Sequence, residues 1–166
     1  MNPSLFALLA AGLFSTGALA QANAPLRVTD PWVRATVPQA KSAGAFMQLQ
    51  SATKARLVAV STPVAGRAEI HEMAMENNTM RMRAVDGIDL PAGQPVHLAS
   101  GGYHLMFFDL KRQLKEGETV PVTLTVQDAA NKRSNVTVQA QVRPLTYVAP
   151  AQQHQGHQGH QGHQGH

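Results

Sequence analysis

At 166 residues the chain suits one domain with short appendages. It has no cysteine, which excludes a disulfide framework and any chemistry that needs a thiolate. Its net charge of +4, with histidines neutral, comes from scattered Lys and Arg with no basic block and no aromatic interleaving, so nucleic-acid binding is not expected.

Residues 1–20 read as a secretory leader. Leu5 to Leu13 is apolar, and Ala18-Leu19-Ala20 is a small-residue cleavage signal before Gln21. No Lys or Arg precedes the apolar run, so the α-amino group alone supplies positive charge there. The run falls short of the roughly 20 residues of a spanning helix. The mature chain is therefore expected to be exported and soluble, with no membrane insertion after cleavage.

A β domain is expected over residues 21–148. Strand candidates are Arg27 to Thr29, Trp32 to Thr36, Ala45 to Gln50, Ala55 to Ser61, Ala68 to Met75 and Met80 to Val85. Val96 to Leu98, His104 to Leu110, Val120 to Gln127 and Asn135 to Val142 follow. Val122 to Val126 and Val136 to Ala140 alternate with period two, as half-buried strands do. Prolines fall at strand starts or in loops, where a missing N–H is tolerated. No segment sustains a helical period. Many short strands separated by turns predict an all-β fold, an antiparallel Greek-key sandwich or barrel. Residues 149–166 change character. His154, His157, His160, His163 and His166 recur in a His-Gln-Gly repeat with no apolar residue, which predicts a disordered tail and leaves three readings, an artificial tag, an inert polar tail or a second metal site. Imidazoles in a flexible chain can wrap one Cu(II), which favours tetragonal nitrogen coordination; Zn(II) or Ni(II) would also bind.

Within the domain, His71, Met82, His104 and Met106 stand out. Ten residues separate the first two, twenty-one the next two and one the last two. Imidazole with thioether, and no thiolate or carboxylate, is a soft ligand set that favours Cu(I). Zinc, calcium and magnesium take imidazole, thiolate or oxygen instead. His104 and Met106, two apart on a strand, point to one face. Glu76-Asn77-Asn78-Thr79 reads as the turn of a hairpin that can bring His71 and Met82 together. Met73 shares parity with His71, and Met80 with Met82, so both are accessory candidates, and Met75 joins them as an open question. Tyr103 and Phe107, of opposite parity to the donors, are expected to pack. Trp32 is expected to anchor the core, Met47 to lie in it, and His97 to be exposed. Arg81 and Arg83 either present charge or solubilise the hairpin.

The spacing resembles the H-x10-M-x21-H-x-M motif of the PCuAC family of periplasmic copper chaperones. The similarity extends to Asp30-Pro31-Trp32-Val33-Arg34-Ala35-Thr36, Ala43-Gly44-Ala45-Phe46-Met47, Ile88-Asp89-Leu90-Pro91-Ala92-Gly93 and Gly101-Gly102-Tyr103-His104-Leu105-Met106, and covers roughly Leu26 to Val142. Some members carry methionine directly after the first histidine; Glu72 holds that place here. The resemblance implies a cupredoxin-like fold and a periplasmic, non-enzymatic monomer. It implies Cu(I) bound by His71, Met82, His104 and Met106. It also implies delivery to the binuclear CuA site of cytochrome c oxidase subunit II, with a Sco-type thiol protein as candidate co-partner. The rival reading is copper sequestration for tolerance, without an oxidase client. A blue-copper centre is excluded by the lack of cysteine, and no Ser/His/Asp or paired-carboxylate arrangement suggests an enzyme.

Overall fold

The structure, a computed structural model, describes residues 26–150. The expected leader and the histidine repeat lie outside the described residues. Ten strands and no helix form the described part: β1 (Leu26–Arg34), β2 (Ser42–Ser51), β3 (Ala55–Ser61), β4 (Ala65–Glu76), β5 (Thr79–Ala84), β6 (Ile88–Leu90), β7 (Pro95–Leu98), β8 (Tyr103–Leu110), β9 (Thr119–Asp128) and β10 (Arg133–Arg143). They join in the order β5-β4-β8-β2-β1-β10-β9-β3-β6, with β7 pairing β2 off that path. The fold is the all-β, cupredoxin-like kind. One expectation is corrected: the sheet is mixed, because β1 runs parallel to β10 from Trp32 opposite Gln141 to Arg34 opposite Arg143.

The two short strands expected around Pro31 are one bulged strand. The β1–β2 register shifts between Thr29 and Trp32, and Asp30 takes a positive φ of 48° beside Pro31. A bulge is where a strand accommodates a proline that cannot donate. Ile88–Leu90, absent from the expected strands, is a three-residue edge strand on β3. Ile88 and Leu90 are buried there, and exposed Asp89 pairs with Arg56 at 2.6 Å.

The core follows from strand alternation. Val120, Val122, Leu124 and Val126 of β9 point inward, while Thr123 and Thr125 point outward to Thr137 and Asn135 of β10. Leu49, Leu57, Leu105, Phe107 and Leu114 fill the centre with no exposed surface. Each such side chain contributes about 1.5–3 kcal/mol on burial. Met47 lies in this core as expected. Phe107 packs there, whereas Tyr103, at the mouth of β8, is exposed. Trp32 is buried but sits on the opposite side of β1 from the core residue Val33, and stacks on Phe46 with ring centroids 4.4 Å apart.

One feature of the sheet edge sets up the site. β4 pairs with β8 only as far as Glu72 opposite Tyr103. Beyond it, Met73 to Glu76 have β5 alone as a ladder partner. The β4–β5 hairpin therefore leaves the sheet as a two-stranded ribbon, and every residue of β5 is exposed.

Candidate metal centre

Glu69, His71, Met73 and Met75 occupy alternate positions of β4, so their side chains share a face. Cross-strand register extends that face. On β8, Met106 lies opposite Glu69 and His104 opposite His71. On β5, Met82 lies opposite Met73 and Met80 opposite Met75. All four donors expected from the sequence thus stand on one side of β5-β4-β8. The hairpin turn is Asn77-Asn78, with φ of 49° and 60°. Both central residues are left-handed, as a type I′ turn requires, and asparagine tolerates that better than other side chains. The register places Met82 diagonal to His71 rather than across from it; its direct neighbour is Met73.

The imidazoles of His71 and His104 lie with centroids 5.8 Å apart and are 8% and 6% exposed. Their hydrogen bonds fix where each carries its proton. His104 Nδ1 lies 3.0 Å from the Gly102 carbonyl, which can only accept, so Nδ1–H donates and Nε2 keeps its lone pair. That Nε2 faces Met82 Sδ at 2.9 Å. A nitrogen lone pair and a thioether directed at each other form an arrangement that a shared soft cation satisfies. His71 Nε2–H donates to Glu69 Oε2 at 2.8 Å, leaving the lone pair on Nδ1. His71 Nδ1 is buried with no hydrogen-bond partner. Buried polar atoms are rarely left so, and each such case calls for an explanation; a metal-ligating nitrogen is one. A carboxylate or carbonyl holding the far nitrogen of a ligating histidine is the usual outer support of such a site.

Glu69 was given no role from the sequence. Its signal there is parity, an acidic residue two before His71 on the same strand face. The hydrogen bond from His71, reinforced by the Arg67 guanidinium, holds its carboxyl below the ordinary 4.5. Arg67 bonds the other carboxylate oxygen and lies 4.5 Å above the Phe108 ring, which neighbours His71 at 5.8 Å. Phe46 lies 6.3 Å from His104 on the other flank. Met106 projects on the donor face above Gly44: a β-carbon there would meet its Sδ at 3.9 Å and the Phe46 ring at 3.1 Å.

Met73 and Met80 share the donor face, as their parity predicts, and Met75 does too. Glu72 turns to the reverse face and accepts from Arg83 Nε at 2.7 Å, which raises the Arg83 pKa above its ordinary value. His97 is exposed on β7, opposite Gln48. Among the described residues no three His, Cys, Asp or Glu gather as a metal cluster; the other donor atoms on the face of the two imidazoles include the thioethers of Met73, Met82 and Met106. The tail histidines lie outside the described residues.

The architecture and the donor face define a PCuAC-type β domain. The chain belongs to the LpqE-like family: the family model described as "Putative lipoprotein LpqE-like" matches residues 26–142. It is similar to "Putative lipoprotein Lxx21020" of Leifsonia xyli subsp. xyli, 30% identical over 114 residues, covering 68% of this chain and 69% of that one. Among solved structures it resembles the apo PCuAC domain from PmoF1, at TM-score 0.59 and 28% identity over 73% of this chain and 95% of that one. It shares the fold of the copper-bound PCuAC domain from PmoF2, at TM-score 0.59 and 23% identity over 73% and 94%.

Proposed function

We propose that the domain carries one Cu(I) on His71, Met82, His104 and Met106 and hands it on as a copper chaperone. The observation that carries this reading is the paired free valence of the two buried imidazoles. His104 Nε2 faces the Met82 sulfur, His71 Nδ1 is buried without a partner, and the opposite nitrogen of each ring is tied to an acceptor. Two neutral nitrogens and two neutral sulfurs suit a monovalent soft ion better than a hard divalent one. The copper-bound state of the PmoF2 domain, which has the same fold, supports the choice of metal.

The asymmetry of burial suggests how cargo leaves. The imidazoles are nearly inaccessible, whereas Met82 is 49% exposed. An incoming thiolate would displace the Met82 thioether first, at the solvent edge, and the imidazoles last. Export to the periplasm, where the acceptor would be the CuA site of cytochrome c oxidase subunit II with a Sco-type thiol protein as co-partner, follows from the family resemblance. The lipoprotein name of the Leifsonia relative agrees with export. The histidine repeat would capture Cu(II).

The test is a Cu(I) titration, against a competing chelator, of the full chain with its five tail histidines changed to glutamine. One tight equivalent is expected, and it should disappear in Met82→Leu and Met106→Leu. Retention of that equivalent in both variants would reject the site. Deleting the gene in its host separates delivery from sequestration: oxidase activity lost at low copper supports delivery, and copper sensitivity alone supports sequestration.

A further inference from the structure

The ribbon beyond β8 has two unlike faces. On the reverse face Glu72 pairs with Arg83 and Glu76 with Arg81, the latter at 3.8 Å. On the donor face stand Met73, Met75, Met80 and Met82 and no other side chain between His71 and the turn. Five of the seven methionines of the chain lie on this face; the others are Met1 and the core residue Met47. Met75 and Met80 are 64% and 46% exposed. Core packing does not account for them, because neither belongs to the buried core or to the apolar side chains packed against it. Strand preference does not either, since β-branched and aromatic residues fit a pleated surface better.

The register arranges these sulfurs as rungs. Met73 faces Met82, and Met75 faces Met80 one step nearer the tip. Side chains directly opposite have β-carbons about 4.5–5.5 Å apart, and successive rungs on a face lie about 6–7 Å apart. Flexible, polarisable thioether side chains at such spacing can converge two or three sulfurs on one soft ion. The inner rung shares Met82 with the imidazole site, so the ladder is continuous from the exposed tip to His104.

We propose that Met75 and Met80, with Met73, form a second, weaker Cu(I) site at the ribbon tip, through which the ion enters and leaves the imidazole site. This rests on the reading of the main site as a Cu(I) carrier. Transfer is ligand exchange: a bond from copper to a thioether of the next rung forms as one to the previous rung breaks. Copper stays monovalent, and no proton or electron moves. The outer site lacks nitrogen donors and is open to water, so it is the weaker of the two. Its ion pairs lie on the reverse face and leave the sulfurs unobstructed.

The experiment uses the full chain with the five tail histidines changed to glutamine and its methionine methyl groups labelled with carbon-13. Cu(I) is added under a reductant while the methyl resonances are followed. The first equivalent should shift Met82 and Met106, and the second should shift Met75 and Met80. Met75→Leu combined with Met80→Leu should abolish the second step, leave the first, and slow release of the first ion to a dithiol acceptor. An amide spectrum confirms that this exposed double variant is folded. If Met75 and Met80 remain unmoved when two equivalents are present, or if the double variant keeps the second equivalent, the outer site is refuted. If Met82 and Met106 themselves stay still at the first equivalent, it is the main-site reading that fails.

Discussion

Glu69 offers the sharpest test of how the imidazole site is held. Its carboxylate accepts from His71 Nε2 at 2.8 Å, and the ring behind that bond is 8% exposed. Glu69→Ala removes the acceptor. The ring then loses the bond that pins its proton to Nε2 and its orientation to the site, and the Nδ1 lone pair is no longer fixed. Loss of an outer partner of this kind typically lowers metal affinity about 10- to 100-fold, and that is the expected loss of Cu(I) affinity. Glu69→Gln keeps a carbonyl acceptor without the charge, so it should fall between the variant and the parent. The Arg67–Glu69 ion pair is at the surface and contributes little to the fold, so a fall in stability would report the His71 Nε2–H left without its acceptor. Chelator competition measures the affinity, and the unfolding midpoint of the metal-free protein supplies the control. Cu(I) affinity of Glu69→Ala within about twofold of the parent, with an unchanged midpoint, would refute the assignment of Glu69 as the support of His71.

Asn77→Ala and Asn78→Ala each remove the side-chain amide that lets asparagine tolerate the left-handed backbone of the turn, at a cost of about 1 kcal/mol; Asn78→Gly, which has no β-carbon, should not. Because the ribbon can open without the rest of the sheet, the loss should appear as faster amide exchange from Met73 to Met82 rather than as a lower midpoint. Gly44→Val should cost about 1–3 kcal/mol by overpacking, since its β-carbon would already lie 3.1 Å from the Phe46 ring; urea unfolding measures it, and Cu(I) affinity should fall as Met106 is pushed aside. The hydrogen bond from Arg112 holds the Glu118 carboxyl below its ordinary 4.5. A depressed carboxyl stabilises the fold above its unfolded pKa and loses that contribution as pH falls through the folded value. Arg112→Gln should therefore move acid unfolding to higher pH, read by circular dichroism, with Cu(I) binding at neutral pH unchanged.

Much of the donor face could be read from parity alone. The period-two rule puts His104 with Met106 and Met73 with His71 without knowledge of the fold, and the Asn77-Asn78 turn fixes the β4–β5 register that aligns Met73 with Met82 and Met75 with Met80. What parity cannot give is which strand lies beside which. The pairing of β4 with β8, which sets His71 opposite His104, joins segments far apart in sequence, as does the parallel pairing of β1 with β10. Pro31 hid the continuity of β1, because a proline that breaks ladder pairing is the same residue in a bulge as in a loop. Ile88-Asp89-Leu90 is too short for its alternation to be distinguished from chance. Tyr103 was expected to pack because it has the parity of Phe107, yet it stands on the last rung of the β4–β8 ladder, opposite Glu72, and is exposed there. Glu69 was overlooked because its part depends on the other nitrogen of His71, which only a three-dimensional arrangement reveals.

The Gly102 carbonyl links two things that the strands keep separate. It accepts from the backbone N–H of Met73 at 3.1 Å and from Nδ1–H of His104 at 3.0 Å, so both its lone pairs are engaged. One bond anchors the base of the hairpin, and the other dictates which tautomer the imidazole adopts. A partner that levers the hairpin away from its neighbour would strip the first bond and loosen the second. The protein thus has a mechanical route, running through a single oxygen atom, by which being grasped could weaken its hold on what it carries.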